Sequence, residues 1–283
     1  MPRITAAACC DKGRVRLNNE DGFYLDGLFM PKEKMDEGGL FAAESSGGRQ
    51  LYAVCDGMGG HELGEEASFA AISMMDGLRD ALARGDDFPR AVGDYVARAN
   101  EAVLSLGGRR GAGTTLVLAY VCGGAAFIAH LGDSRAYLLR KGTLTRLTED
   151  HSEVQRLVNL GVLTPGEARL HPARHALTLF LGYPADGEYI LRAGIAKQTL
   201  RRGDLLLLCS DGLTDMLGDE DVASLLRGDP AGAARALVDA ALAAGGRDNV
   251  TALVARMEHP GVPVWLSRAR MREAAGRSVR YDE

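Results

Sequence analysis

Acidic residues stand at the ends of apolar runs along this chain, and their placement is the feature most able to do chemistry. Asp56 follows the run LYAVC, Asp133 follows FIAHLG, and Asp211 follows LLLLCS. Asp248 comes just before VTALVA, and Glu20 and Asp21 come just before FYL. Three acidic sites therefore lie at strand exits and two at strand entries. In antiparallel neighbours one strand's exit lies beside the next strand's entry, so all five sites can share one edge of a sandwich. Carboxylates gathered at one edge repel one another unless cations neutralise them. Hard oxygen ligands suit magnesium or manganese rather than zinc or copper. Gly57, Gly132 and Gly212 flank the acids, permitting tight turns and exposing backbone carbonyls as further ligands. Acids also start and end strands as ordinary turn formers. That suffices for one Asp-Gly pair, but not for five sites each beside an apolar run. The pattern implies metal binding and leaves the reaction open.

The elements that must position these acids are legible as runs and periods. Strands are expected at Phe23 to Leu25, Leu51 to Cys55, Thr115 to Val121, Ala125 to Leu131, Ala136 to Arg140, Asp204 to Cys209 and Val250 to Ala255. Apolar residues spaced by three and four predict helices over Glu65 to Arg84 and Pro89 to Leu106. Helices between strand groups imply helices covering sheets. His151 to Arg174 reads as two short helices, the second started by Thr164-Pro165-Gly166-Glu167. Asp229-Pro230 starts another, which Gly245-Gly246 stops. Met30 to Gln50 reads as a surface loop inserted between two strands. After Glu258 the pattern fades into an arginine-rich tail.

The chain has 283 residues, of which 46% are apolar, and a net charge of −5. A large core is within reach and disorder is not expected. The mild acidity argues against nucleic acid as the main partner, since phosphate backbones call for a basic face. The five cysteines form no disulfide or C-x-x-C zinc pattern, which fits a reducing cytoplasm. The N-terminus lacks the apolar stretch of a signal peptide, and no run approaches the ~20 residues that span a bilayer.

Six segments carry a resemblance. They are DKGRVRLNNED (Asp11 to Asp21), CDGMGGHELGEEAS (Cys55 to Ser68), GAGTTL (Gly111 to Leu116), HLGDSRAYLLRKGTLTRLTEDHS (His130 to Ser152), CSDGLTD (Cys209 to Asp215) and GGRDNVT (Gly245 to Thr251). In order and across about residues 4 to 256 they resemble the PPM family, the metal-dependent type 2C protein phosphatases, in its bacterial form. The resemblance implies an α+β fold: an α-β-β-α sandwich of two antiparallel sheets flanked by helices. Residues 1–258 would be the catalytic domain, with a flap at about 150–175, and 259–283 a basic C-terminal tail.

The resemblance also implies that Asp56 bridges two Mn²⁺ or Mg²⁺ ions, with the Gly57 carbonyl, Asp211 and Asp248 completing the pair. Glu20 or Asp21 would contribute from outside the direct ligands or through water, and Asp133 would hold a third, weaker cation. Arg16 matches the arginine that holds the substrate phosphate. The implied reaction is hydrolysis of phosphoserine and phosphothreonine on proteins by a water that two metals activate, with no protein nucleophile. The implied partners are a bacterial serine/threonine kinase or its targets, met by a cytoplasmic monomer.

There are departures and rivals. Many eukaryotic members carry a histidine where Met58 stands, and His61, three residues on, is a candidate proton donor. Leu179 replaces an arginine expected in the segment His171 to Gly182, which puts flap or substrate contacts in doubt. Cys10 to Arg16 also fits the phosphate loop of cysteine-dependent phosphatases. There Asp11 would raise the thiol pKa and repel phosphate, and an acidic stretch replaces the expected helix. A regulatory or binding module that keeps the fold but not the catalysis is the other alternative, against which stands the presence of every principal acid.

Overall fold

Consecutive apolar residues, rather than alternating ones, mark strands buried on both faces. The run Leu205 to Cys209 shows the consequence: Leu206 and Leu208 enter one core, and Leu205, Leu207 and Cys209 enter another. The computed structural model describes residues 3–45, 48–59, 63–107, 111–184 and 191–259. Its first strands are β1 (Arg3–Asp11), β2 (Asp21–Leu25), β3 (Gly39–Ser45), β4 (Arg49–Met58), β5 (Gly113–Thr114) and β6 (Leu116–Cys122). The others are β7 (Ala125–Leu131), β8 (Arg135–Arg140), β9 (Thr143–Arg146), β10 (Gly194–Thr199), β11 (Leu205–Cys209) and β12 (Val250–His259). One sheet runs β3-β1-β12-β11-β8-β9 and the other β10-β7-β6-β4-β2, with β5 attached to β4. Every pairing is antiparallel.

The helices are α1 (Leu63–Ser73), α2 (Met75–Arg84), α3 (Phe88–Gly107), α4 (Glu153–Asn159), α5 (Pro165–Leu170), α6 (Asp211–Thr214), α7 (Asp219–Leu225) and α8 (Pro230–Ala243). Three apolar cores separate four layers. The inner faces of the two sheets meet through Ile4, Phe23, Val54, Val117, Ile128, Leu206 and Leu253. The outer face of the β4-containing sheet packs on α1, α2 and α3 through Leu51, Ala67, Met75, Tyr95 and Leu118. The outer face of the β1-containing sheet packs on α6, α7 and α8 through Cys9, Leu207, Leu213, Val222 and Leu237. Each fully buried Leu, Ile or Val contributes roughly 1.5–3 kcal/mol, so a charge placed at Val54 would break both the inter-sheet core and the strand that ends in Asp56. This is the expected α-β-β-α sandwich.

Some boundaries differ from expectation. The helix foreseen over Glu65 to Arg84 is two, interrupted at Met74, where Ser73 Oγ donates to the Ala70 carbonyl at 3.0 Å. A serine bonding back into its own helix competes with the backbone ladder and bends it. Met30 to Gln50 is not a plain loop. It holds a 3₁₀ turn over Lys32–Glu37 and the edge strand β3, whose alternate burial leaves only a weak apolar signal. The caps at Thr164 and Asp229 form as expected, the first as a reciprocal pair with Glu167.

Candidate metal centre

Strand register brings the acids together. Asp21, at the start of β2, pairs directly with Asp56 near the end of β4. In the other sheet Cys209 pairs with Ala252, setting the exit of β11 beside the entry of β12. Asp211 and Asp248 lie two residues beyond those ends. Arg16, Glu20, Asp56, Gly57, Asp133, Asp211 and Asp248 all line one pocket of about 280 Å³ at this edge. Asp21 lies behind it, fully buried.

A hydrogen-bonded frame fixes the backbone around Glu20, Asp21 and Asp56 and ties it to the turn of Asp133. The Asp56 amide donates to Thr115 Oγ1 at 2.9 Å, and its carbonyl accepts from the Thr115 amide and Thr114 Oγ1. Thr115 Oγ1 also meets Ser134 Oγ at 2.7 Å, tying the Asp56 turn to the turn that carries Asp133. The Gly57 amide donates to the Glu20 carbonyl at 3.0 Å. A Cβ on Gly57 would fall 2.1 Å from the Gly64 carbonyl oxygen, so no other residue fits there. Asn249 is a hub: its Oδ1 accepts from the Glu20 amide, and its Nδ2 donates to the carbonyls of Lys12 and Asn18, each at 2.8 Å. Asp36 and the Met35 carbonyl, from the 3₁₀ turn, bind Asn19 and so hold the turn that precedes Asp21.

The electrostatics are those of a site built for positive charge. Burial pushes the Asp56 carboxyl well above its usual range, and Asp21, Asp211 and Asp133 push it further. Asp133 is raised by burial and by Asp211. Burial lifts Asp21 to about 7 against a hydrogen bond from Ser210 Oγ at 2.7 Å, with Asp248 and Asp211 adding to the rise. Its second oxygen, Oδ1, is buried with no hydrogen-bond partner among the described residues. Burial alone would also raise Asp211, but hydrogen bonds from His175 and Asp56 outweigh it and hold it below the ordinary value. Arg16 Nη2 meets Asp248 Oδ2 at 2.6 Å, the guanidinium half exposed at the pocket mouth.

His175 was missed by sequence reasoning. Its Nδ1 lies 3.4 Å from Asp211 Oδ2 and its Nε2 3.4 Å from Asp215 Oδ2, and only an imidazolium donates from both nitrogens. Asp133, His175 and Asp211 each offer a ligand atom, all within 4.8 Å of one another. The one signal was its place in the segment that follows the second short helix. Thr115, Ser134, Ser210 and Asn249 were passed over too, because uncharged framing residues carry no pattern of their own.

The donor set fits hard divalent cations: several carboxylates, Asp56 and Asp133 among them raised in pKa by burial and by neighbouring acids, and a backbone carbonyl. The rival thiol does not fit. Cys10 is buried in the inter-sheet core, receives a bond from Asn19 Nδ2 at 3.9 Å, and has its pKa pushed up, chiefly by burial. It does not line the pocket. Leu179 packs against the core beneath α1 to α3. His61 and residues 260–283 lie outside the described residues. Among the described residues no helix is long and apolar enough to cross a membrane.

Comparison with known proteins gives a consistent picture. The family model for protein phosphatase 2C matches residues 13–171. The serine/threonine protein phosphatase PstP of Mycobacterium tuberculosis is 38% identical over 267 residues, which is 90% of this chain but 46% of that protein. The chain thus spans about half the length of that relative. The serine/threonine phosphatase stp of Listeria welshimeri is 32% identical over 253 residues, 86% of this chain and 92% of its own. A solved structure of the PstP catalytic domain in complex with 2 manganese ions superposes with a TM-score of 0.74 at 34% identity, covering 92% of this chain and all of that one.

Proposed function

The chain belongs to the protein phosphatase 2C family, and on that premise we propose that it hydrolyses phosphoserine and phosphothreonine on proteins with the help of Mn²⁺ or Mg²⁺. The observation that carries this reading is the convergence of Asp56, Asp133, Asp211 and Asp248, from both sheets, on one pocket that also holds Arg16. Asp56, the Gly57 carbonyl, Asp211 and Asp248 would hold two cations, with Glu20 and Asp21 supporting them through water. Asp133, Asp211 and His175, the last in its neutral form, would hold a third, weaker one. Such cations supply an acidified water and neutralise phosphoryl charge when bound.

The chain's own residues do the rest. Thr114 and Thr115, the latter tied to Ser134, fix the Asp56 backbone at the edge of the pocket. Arg16 presents a guanidinium whose planar fork suits two phosphate oxygens. Its pairing with Asp248 holds it at the mouth until a phosphate competes for it. Met58, at the pocket wall, offers no proton, so the leaving alkoxide must be protonated from elsewhere in the pocket.

We further read residues 150–175 as a flap over the site, and a serine/threonine kinase or its targets as the partners of a cytoplasmic monomer. The kinship with PstP and stp supports phosphoproteins as the substrates. Turnover of a phosphothreonine peptide should vanish in EDTA, return with Mn²⁺, exceed turnover of a phosphotyrosine peptide, and survive Cys10→Ser. Activity that resists EDTA and dies with Cys10→Ser would overturn the proposal.

A further inference from the structure

Two loops meet beside the phosphate-holding arginine. The Arg14 amide donates to the Gly246 carbonyl at 2.7 Å. A Cβ on Gly246 would fall 3.1 Å from Arg14 Cγ, so the Arg14 stem lies across that glycine. Arg247 is the next residue, and after it Asp248 takes the Arg16 guanidinium at 2.6 Å. Asn249 closes the contact by donating to the carbonyls of Lys12 and Asn18. The loops therefore bring Arg14 and Arg247 together, Arg14 two residues before Arg16 and Arg247 next to Asp248, both of which line the pocket. Both are exposed, and neither forms an ion pair among the described residues. Val15 and Leu17, between and beyond the arginines, are 65% and 92% exposed, so the loop presents its side chains to solvent.

Two exposed arginines in the loops that carry Arg16 and Asp248 to an acidic pocket, in a chain of net charge −5, have a chemical use there. A phosphoprotein segment entering the pocket places its neighbouring side chains over these loops. Residues two apart in a chain are separated by at most about 7 Å, so the Arg14 backbone lies within the reach of a second anion close to a phosphoresidue held by Arg16. We propose that Arg14 and Arg247 read a second negative group near the hydrolysed phosphate, either a carboxylate side chain or another phosphate. The proposal rests on the phosphatase reading above and adds the class of substrate. Exposed ion pairs are weak and salt-sensitive, so the selection amounts to about two- to fivefold in kcat/KM for each arginine.

The test uses the full chain with Mn²⁺ and three phosphothreonine peptides of one length. One has neutral flanks, one has glutamates within three residues of the phosphothreonine, and one has a second phosphothreonine there. Wild type is compared with the Arg14→Gln/Arg247→Gln double variant at low and high salt, with a small aryl phosphate as the control for an intact site. The expected result is faster turnover of the anionic peptides by wild type, lost in the double variant and at high salt, while the neutral peptide and the aryl phosphate are unchanged. A preference confined to the doubly phosphorylated peptide assigns the second anion to phosphate. Equal rates for all three peptides with wild type at low salt overturn the proposal, as does a preference that survives in the double variant. Should the double variant misfold, the wild-type salt series decides alone. If no peptide is turned over at all, the phosphatase reading itself fails.

Discussion

Asp21→Asn should make the cation-free protein more stable, although Asp21 is fully buried. The carboxyl rises from 3.8 to about 7 through burial and through Asp248 and Asp211. Each pKa unit is ~1.36 kcal/mol, so keeping this group charged in the folded chain costs up to about 4 kcal/mol. Because the folded value is raised, the penalty is absent below pH 3.8, grows as pH rises to about 7, and is constant above. Asparagine removes the charge and still accepts from Ser210 through Oδ1, while its amide faces acids instead of adding to them. At roughly 2–4 °C per kcal/mol for a chain near this size, the full effect is a Tm rise of about 8–15 °C, and half of it remains easy to measure. The assay is a thermal melt in EDTA at pH 5 and pH 7.5, repeated with saturating Mn²⁺. The gain should be less than half as large at pH 5. It should shrink or reverse with Mn²⁺, because ligand binding stabilises wild type by about 2.7 kcal/mol at a concentration 100 times Kd. A variant that melts below wild type in EDTA at pH 7.5 would refute the idea that these acids are held apart from their natural counter-charge.

Further outcomes follow from the same geometry. Arg16→Ala should raise KM for phosphopeptides about tenfold or more, because a hydrogen bond between charged groups is worth roughly 1.5–3 kcal/mol; a collapsed kcat with unchanged KM would show that Arg16 acts only in the transition state. Asp133→Ala and His175→Ala should each weaken the same third Mn²⁺ site roughly tenfold or more, lower kcat, and spare two tighter sites in a calorimetric titration. Retention of all three sites with normal turnover would reduce both residues to turn chemistry.

The sequence shows most of this architecture, and what it hides has physical reasons. Leu205 to Cys209, Ala125 to Leu131 and Val250 to Ala255 announce themselves as strands because both their faces are buried. The acids announce themselves because they interrupt such runs. Edge strands β3 and β10 alternate between half-buried and exposed residues and blend into their loops. β1 is built largely of alanine and cysteine, which lack the β-branched signature of a strand. In the candidate site the charged residues were visible and their supports were not. Asn249 and Thr115 matter through bonds to backbone atoms distant in sequence, and those partners emerge only with the strand register. His175 sits by Asp211 because residues 176–181 pair back onto Ser152 and Thr114, a closure no local pattern encodes.

The central claim is that Asp56, opposite Asp21 and framed by Thr114 and Thr115, is the carboxylate that two cations share. Calorimetric titration of Mn²⁺ into wild type and Asp56→Asn tests it most directly. Wild type should show two tight sites, and Asp56→Asn should lose both while still melting cooperatively. Two tight sites retained in Asp56→Asn would contradict it.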